Sequence, residues 1–288
     1  MANLRDIKQR IAGVKKTQQI TRALKMVAAV KFRKAQQAIL QARPYAHRLS
    51  NIMGHIASDV DHSLHPLLAV REPKHVGYVI ITADQGLCGS FNANIIRKAE
   101  AEIEAQIDSE VSLILIGKKA TDYFSKRNYH ILGTYLKFFK ELTFQRADEI
   151  EDLVRDLYLQ RKLDRIYLIY NEFKTAMRQD VTIEQLLPVV PIAPDESKKI
   201  MEFAFEPDAA KILDTLIPRY LNVTIWRVLL ESYASEMGAR MTAMEYATEN
   251  ANNIISDLTM EYNRLRQEKI TAEILEIVNG SEALKTAR

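Results

Sequence analysis

Cysteine, proline and glycine are all scarce in this chain, and each scarcity narrows what it can be. One cysteine, Cys88, stands among 288 residues. A single thiol excludes an internal disulfide framework and fits a reducing compartment. Nine glycines and eight prolines are few for this length, which favours long uninterrupted elements. No run of about 18 apolar residues occurs, so no membrane-spanning helix is expected. Charge begins at Arg5 with no apolar stretch before it, so a secretory signal is not expected either. Acidic residues are nearly missing from the first fifty positions. Asp6 alone opposes twelve Lys or Arg there, a net +11 within a chain of net +3. Residues 219–288 hold eight bases and ten acids, net −2, which leaves −6 for residues 51–218. A basic arm on a near-neutral chain asks for an acidic partner: nucleic acid, anionic lipid or an acidic protein surface.

What is present falls into two patterns. In the first, Leu4, Ile7, Ile11, Val14, Thr21, Leu24, Ala28, Ala35, Ala38 and Ala42 recur in steps of three, four and their sums. That spacing predicts a helix with one narrow apolar stripe, more like a coiled-coil seam than a face laid on a broad core. Gln18 interrupts the seam, and alanines dominate its later half. A second stripe runs through Leu230, Tyr233, Met237, Met241, Met244, Ala247, Ala251, Ile254, Leu258, Tyr262 and Leu265, with Ile270, Ile274 and Ile277 extending it. Gly280 is a plausible stop. About seventy helical residues at 1.5 Å each would span roughly 100 Å, a rod rather than a globular helix. The two stripes are expected to cover each other as one antiparallel coiled coil.

The middle of the chain follows the second pattern. Residues 76–82 (VGYVIIT), 111–117 (VSLILIG) and 165–170 (RIYLIY) read as buried strands, with helical segments at 92–106, 118–126 and 144–163 between and beside them. Alternating strands and helices predict a Rossmann-like α/β domain with a largely parallel sheet. Residues 188–194 read as an irregular connection or edge, and 203–205 as a last strand before Pro207 and Asp208 open the final helix. The expected organisation is residues 1–58 and 208–286 as one rod, with 74–195 as a central domain.

Candidate chemistry is thin. The loop 84–92 (DQGLCGSFN) follows a strand and precedes a helix, where α/β folds bind phosphate. It has neither dinucleotide nor P-loop glycine spacing, and a tight turn or protein-contact loop is the better reading. Cys88 has no histidine near it in sequence and reads as inert. His55, His62 and His65, with Asp59 and Asp61, match no zinc spacing and read as solvated. Within residues 1–40 Phe32 is the one aromatic, so stacking on single-stranded nucleic acid is poorly supported, although phosphate contact by the lysines is possible.

Three stretches carry a resemblance: MANLRDIKQRIAGVKKTQQITRALKMVAAVKFRKAQ at the start, ITADQGLCGSFN in the centre, and YNRLRQEKITAEILEIVNGSEAL near the end. Together they resemble the γ subunits of rotary F-type ATP synthases, over essentially the whole chain and in a bacterial form. The resemblance implies a central-stalk rotor with no catalytic residues, metal or cofactor of its own. It would couple proton flow through a membrane c-ring to ATP synthesis or hydrolysis on β subunits. Implied partners are the α and β subunits, the ε subunit and the c-ring, at the cytoplasmic face of the bacterial inner membrane, with no nucleic acid. Residues implied to contact β are Arg266, Gln267, Thr271 and Glu273 near the helix end. Arg240, across from Leu24 and Lys25, and the loop residues Gly86, Leu87 and Cys88 complete that set. Phe205 and Glu206 would face the rotor ring. Two positions depart from the family pattern: Gln85, where many relatives carry arginine, and Ser281, where alanine is usual.

Overall fold

A computed structural model of the protein describes residues 4–59, 65–140, 142–175, 178–189 and 209–286. The element order is α1 (Leu4–Asp59), β1 (His75–Ile81), α2 (Phe91–Glu104), β2 (Glu110–Ile116), α3 (Lys118–Phe124), β3 (His130–Tyr135), α4 (Phe144–Leu159), β4 (Arg165–Phe173), β5 (Gln179–Leu187) and α5 (Ala209–Thr286). Residues 203–205, read as a strand, lie outside the described residues. Contacts divide the chain into two compact units, one of Met1–Val27 with Met241–Arg288, the other Ala28–Arg240.

The second unit is built on a five-stranded sheet in the order β3-β2-β1-β4-β5. Strands β3, β2, β1 and β4 run parallel, and β5 returns antiparallel on β4. Side chains alternate across a strand, and here both faces are covered. Val76, Tyr78 and Ile80 of β1 join Leu113 and Leu115 of β2 beneath Phe91, Ile95 and Ala99 of α2 and Ala120 and Phe124 of α3. Val79, Ile81, Ile114, Ile116 and Leu168 point the other way, into Ile150 and Val154 of α4, Met53 and Ile56 of α1, and Leu221, Ile225 and Leu229 of α5. Strands β3 and β5 escape the sequence reading because they form the two edges. Their residues are mostly half-exposed, so no apolar run marks them. Gly117 turns β2 into α3 with φ 92, and a Cβ there would stand 2.1 Å from the carbonyl oxygen of Thr82. Only glycine fits that turn.

In the first unit the antiparallel register is fixed by polar pairs. Gln18 donates to Asn252, Thr21 and Thr248 share a hydrogen bond at 2.7 Å, and Lys25 meets Glu245 at 2.6 Å. Each step toward the C-terminus on α1 is matched by a step back on α5. Gln18, where the stripe wanted an apolar residue, is therefore a register pin, the role best attested for a polar residue in a helix seam. Buried side chains are few among the described residues of this unit: Ile7, Thr21, Met244 and Ala251. From Arg266 to Ser281 every residue of α5 is exposed.

Candidate functional site

In an open α/β sheet the ligand crevice lies at the carboxyl ends of strands where the strand order reverses. Here that point falls between β1 and β4, beside the loop 84–92. Bonds within the chain tie down both sides of this loop. Asp84 Oδ1 accepts from the backbone N–H of Lys118 (3.1 Å) and of Lys137 (2.9 Å), and Oδ2 from that of Phe139 (3.4 Å). A carboxylate thus satisfies backbone donors at the start of α3 and after β3. Asn92 Oδ1 accepts from the N–H of Ala83, and Asn92 Nδ2 lies 3.1 Å from Cys88 Sγ. On the β4 side, Ser235 of α5 donates to the carbonyl of Asn171 at 3.2 Å, and Asn171 Nδ2 reaches the carbonyl of Phe91 at 3.5 Å. The long helix α5 therefore lies against the carboxyl end of β4.

Arg240 ties the loop to α5. Its Nη2 donates to the carbonyls of Gln85 (3.2 Å) and Gly86 (3.3 Å), and its Nη1 donates to Glu236 Oε1 at 2.6 Å. Glu236 is 4% exposed. Burial pushes its carboxyl above the usual range, and Arg240 pulls it back in part. Leu87 sits at φ 63, a left-handed conformation that costs a leucine about 1–2 kcal/mol, and 69% of it is exposed. The loop holds an apolar side chain out into solvent against both its backbone preference and the hydrophobic effect. Cys88 points inward at 1% exposure, and burial pushes its thiol up, so it is a poor nucleophile.

The other expected residues separate into groups. Lys25 pairs with Glu245, and Leu24 is half-buried. On the exposed end of α5, Thr271 donates to the carbonyl of Gln267 at 3.0 Å, and Glu273 lies 3.6 Å from Lys269. Arg266 and Gln267 are exposed there. Phe205 and Glu206 lie outside the described residues. The histidine reading needs one correction. His65 is buried rather than solvated: Nδ1 accepts from the N–H of Leu67 at 3.2 Å, and Nε2 lies 3.3 Å from Asp214. A turn folded onto α5 withdrew it from water. Among the described residues no group of three or more His, Cys, Asp or Glu could hold a metal. Sequence reasoning missed Glu236 and Asp84. The spacing of Glu236 four residues before Arg240 was the available signal for the first.

Comparison with known proteins agrees with this arrangement. Residues 3–284 match a family described as ATP synthase. The ATP synthase gamma chain of Pelotomaculum thermopropionicum is 46% identical over 285 residues, covering 99% of this chain and 100% of that one. That of Chlorobaculum tepidum is 45% identical over 291 residues, with 99% and 100% covered. Among solved structures, a chain in the central stalk and c-ring of the Tetrahymena thermophila mitochondrial ATP synthase matches at 25% identity and a TM-score of 0.61, covering 79% of this chain and 99% of that one. A chain of the Euglena gracilis mitochondrial ATP synthase shares the fold at a TM-score of 0.68 and 23% identity, with 98% and 94% covered. Identity of nearly half along the full length of its bacterial relatives decides the matter, and the chain belongs to the ATP synthase gamma-chain family.

Proposed function

We propose that this chain turns inside a ring of α and β subunits as the central-stalk rotor of an ATP synthase. In this role it couples ion flow through a membrane c-ring to the catalytic sites on β and supplies no catalytic group itself. The observation that carries the reading is the end of α5. From Arg266 to Ser281 the helix is exposed, and it displays Ile270, Ile274, Leu275, Ile277 and Val278 to solvent. An exposed apolar helix end of this kind suits a surrounding sleeve. It also makes the rotor asymmetric, so three otherwise equal β sites meet different surfaces. A partner shifts a conformational equilibrium only by differential contact.

Two further features support the same role. Among their described residues the paired segments of the first unit bury only two large apolar side chains, Ile7 and Met244, worth about 2 kcal/mol each. Such a pair gains from being gripped from outside. The bases Lys8, Arg10, Lys15, Lys16 and Arg22 are exposed along α1, ready for acidic levers on the β subunits. In this reading Arg266, Gln267, Thr271 and Glu273 form the upper bearing. Gly86 and Leu87, braced by Arg240 and backed by the buried Cys88, form a second contact with β, and Leu24 and Lys25 belong to the same coupling region. Phe205 and Glu206 face the c-ring, with the ε subunit beside them. No described helix is long and apolar enough to cross a membrane. Attachment to the cytoplasmic face of the inner membrane would then come through the complex.

The test is reconstitution. The chain mixed with purified α and β subunits is expected to form a stoichiometric complex with cooperative ATP hydrolysis. Failure to co-assemble would sink the reading.

A further inference from the structure

A cavity of about 670 Å³ lies among α1, α4 and α5 of the second unit, and none of the residues assigned to coupling lines it. Glu151 reaches it from the middle of α4 and is 4% exposed. Its Oε2 accepts from Arg155 Nη1 at 2.6 Å, whereas its Oε1 is buried with no hydrogen-bond partner. Asn222 of α5 lines the same cavity, and its Oδ1 is also buried and unpartnered. Native interiors rarely leave such atoms orphaned. With Glu151 ionised both orphans are acceptors, so what is missing is a donor.

Neither cation already in the wall donates to these two oxygens. Arg155 is shared between Glu151 and Asp152, and Arg219 donates to the Tyr45 hydroxyl at 2.6 Å. Asp148 adds a third carboxylate that has no ion pair among the described residues, so acids outnumber bases around the cavity. Phe144 and Trp226 also line it, edge to face with centroids 5.8 Å apart. Carboxylate and amide oxygens beside aromatic rings are the surroundings that a planar or compact nitrogen cation prefers.

We propose that this cavity binds an organic cation bearing N–H donors, a guanidinium or primary ammonium group, which donates to Glu151 Oε1 and Asn222 Oδ1 beside Trp226. The group is either a free small molecule or the end of an arginine or lysine side chain from another subunit.

Trp226 is the one tryptophan of the chain, so its emission reports occupancy directly. Titration of the full-length chain with n-butylguanidinium or n-butylammonium chloride is expected to give a saturable change. Tetramethylammonium chloride, a cation without N–H, and potassium chloride at equal ionic strength are expected to give none. Glu151→Gln should raise the dissociation constant roughly tenfold or more, and the half-exposed Asp148→Asn should weaken binding in the same direction. An unresponsive wild-type chain, an equal response to tetramethylammonium, or wild-type affinity in either folded variant overturns the proposal. Equilibrium dialysis of labelled n-butylguanidinium against the assembled complex then separates the sources. Exclusion from the complex assigns the site to a subunit side chain, and retained binding assigns it to a free cation.

Discussion

Arg240 Nη1 stands 2.6 Å from Glu236 Oε1, one helical turn back on α5, while the same guanidinium donates to the carbonyls of Gln85 and Gly86. One side chain therefore neutralises a buried carboxylate and fixes the loop that displays Leu87. Removing it exposes both debts at once. Arg240→Ala is expected to destabilise the chain by about 3 kcal/mol in urea unfolding, because it leaves a buried charge unpaired. Adding Glu236→Gln should recover part of that loss. A double variant no more stable than Arg240→Ala alone would show that the ion pair is not the source of the effect.

Leu87 gives two opposite expectations. Leu87→Asn relieves the left-handed backbone and should raise stability by about 0.5 kcal/mol. The same change removes the exposed apolar side chain and should lower ATP hydrolysis by the reconstituted complex. Thermal unfolding reads the first effect and turnover the second. Unchanged turnover would mean that this side chain touches no subunit.

At the end of α5, Arg266→Ala combined with Gln267→Ala should leave the unfolding free energy of the chain within about 0.5 kcal/mol of wild type, since both residues are exposed. Assembly with α and β, or coupled hydrolysis, should fall. If both persist, the bearing assignment is wrong for this chain.

Burial pushes Glu151 up to about 7, against the pull of Arg155. The folded chain holds that proton across a range of pH in which the unfolded chain has released it. Stability should accordingly fall as pH rises from about 4.5 to about 7 and level off above, by about 3 kcal/mol for this group. Glu231 and Glu236 are raised by burial too and contribute with the same sign. Glu151→Gln should flatten the wild-type slope in urea unfolding measured at pH 5 and pH 8. Identical slopes in the two proteins would assign the pH dependence elsewhere.

Gly117→Ala places a methyl 2.1 Å from the Thr82 carbonyl oxygen at a positive φ. A loss of about 3 kcal/mol or more, or failure to accumulate as soluble protein, is expected. A melting temperature equal to wild type would contradict the turn geometry.

The interior strands β1, β2 and β4 were legible because both of their faces are buried, which leaves continuous apolar runs at 76–82, 111–117 and 165–170. The edge strands β3 and β5 were not, because one side of each meets solvent and their sequences read as mixed. Helix α1 runs through Pro44 and α5 through Pro218 without ending. A proline in mid-helix costs about 3 kcal/mol on propensity alone, and packing of α1 and α5 against the core outweighs it. The site was legible only in part. The loop 84–92 could be singled out by its place between a strand and a helix. Its bond to Arg240, some 155 positions away, could not be seen, and neither could the donors gathered by Asp84.

The sequence by itself determined the two long helices, the parallel heart of the sheet, the basic arm and the family. Periodicity, composition and motif are properties of neighbouring residues, and they survive without a fold. Only the tertiary structure decided that α5 bonds to Asn171 of β4 and to the loop after β1, that Gln18 pins a register with Asn252, that His65 is buried, and that Glu151 and Asn222, each with an unpartnered oxygen, line one cavity. Each of these depends on which polar groups lose water and what they meet in exchange, a matter settled between residues far apart in the chain.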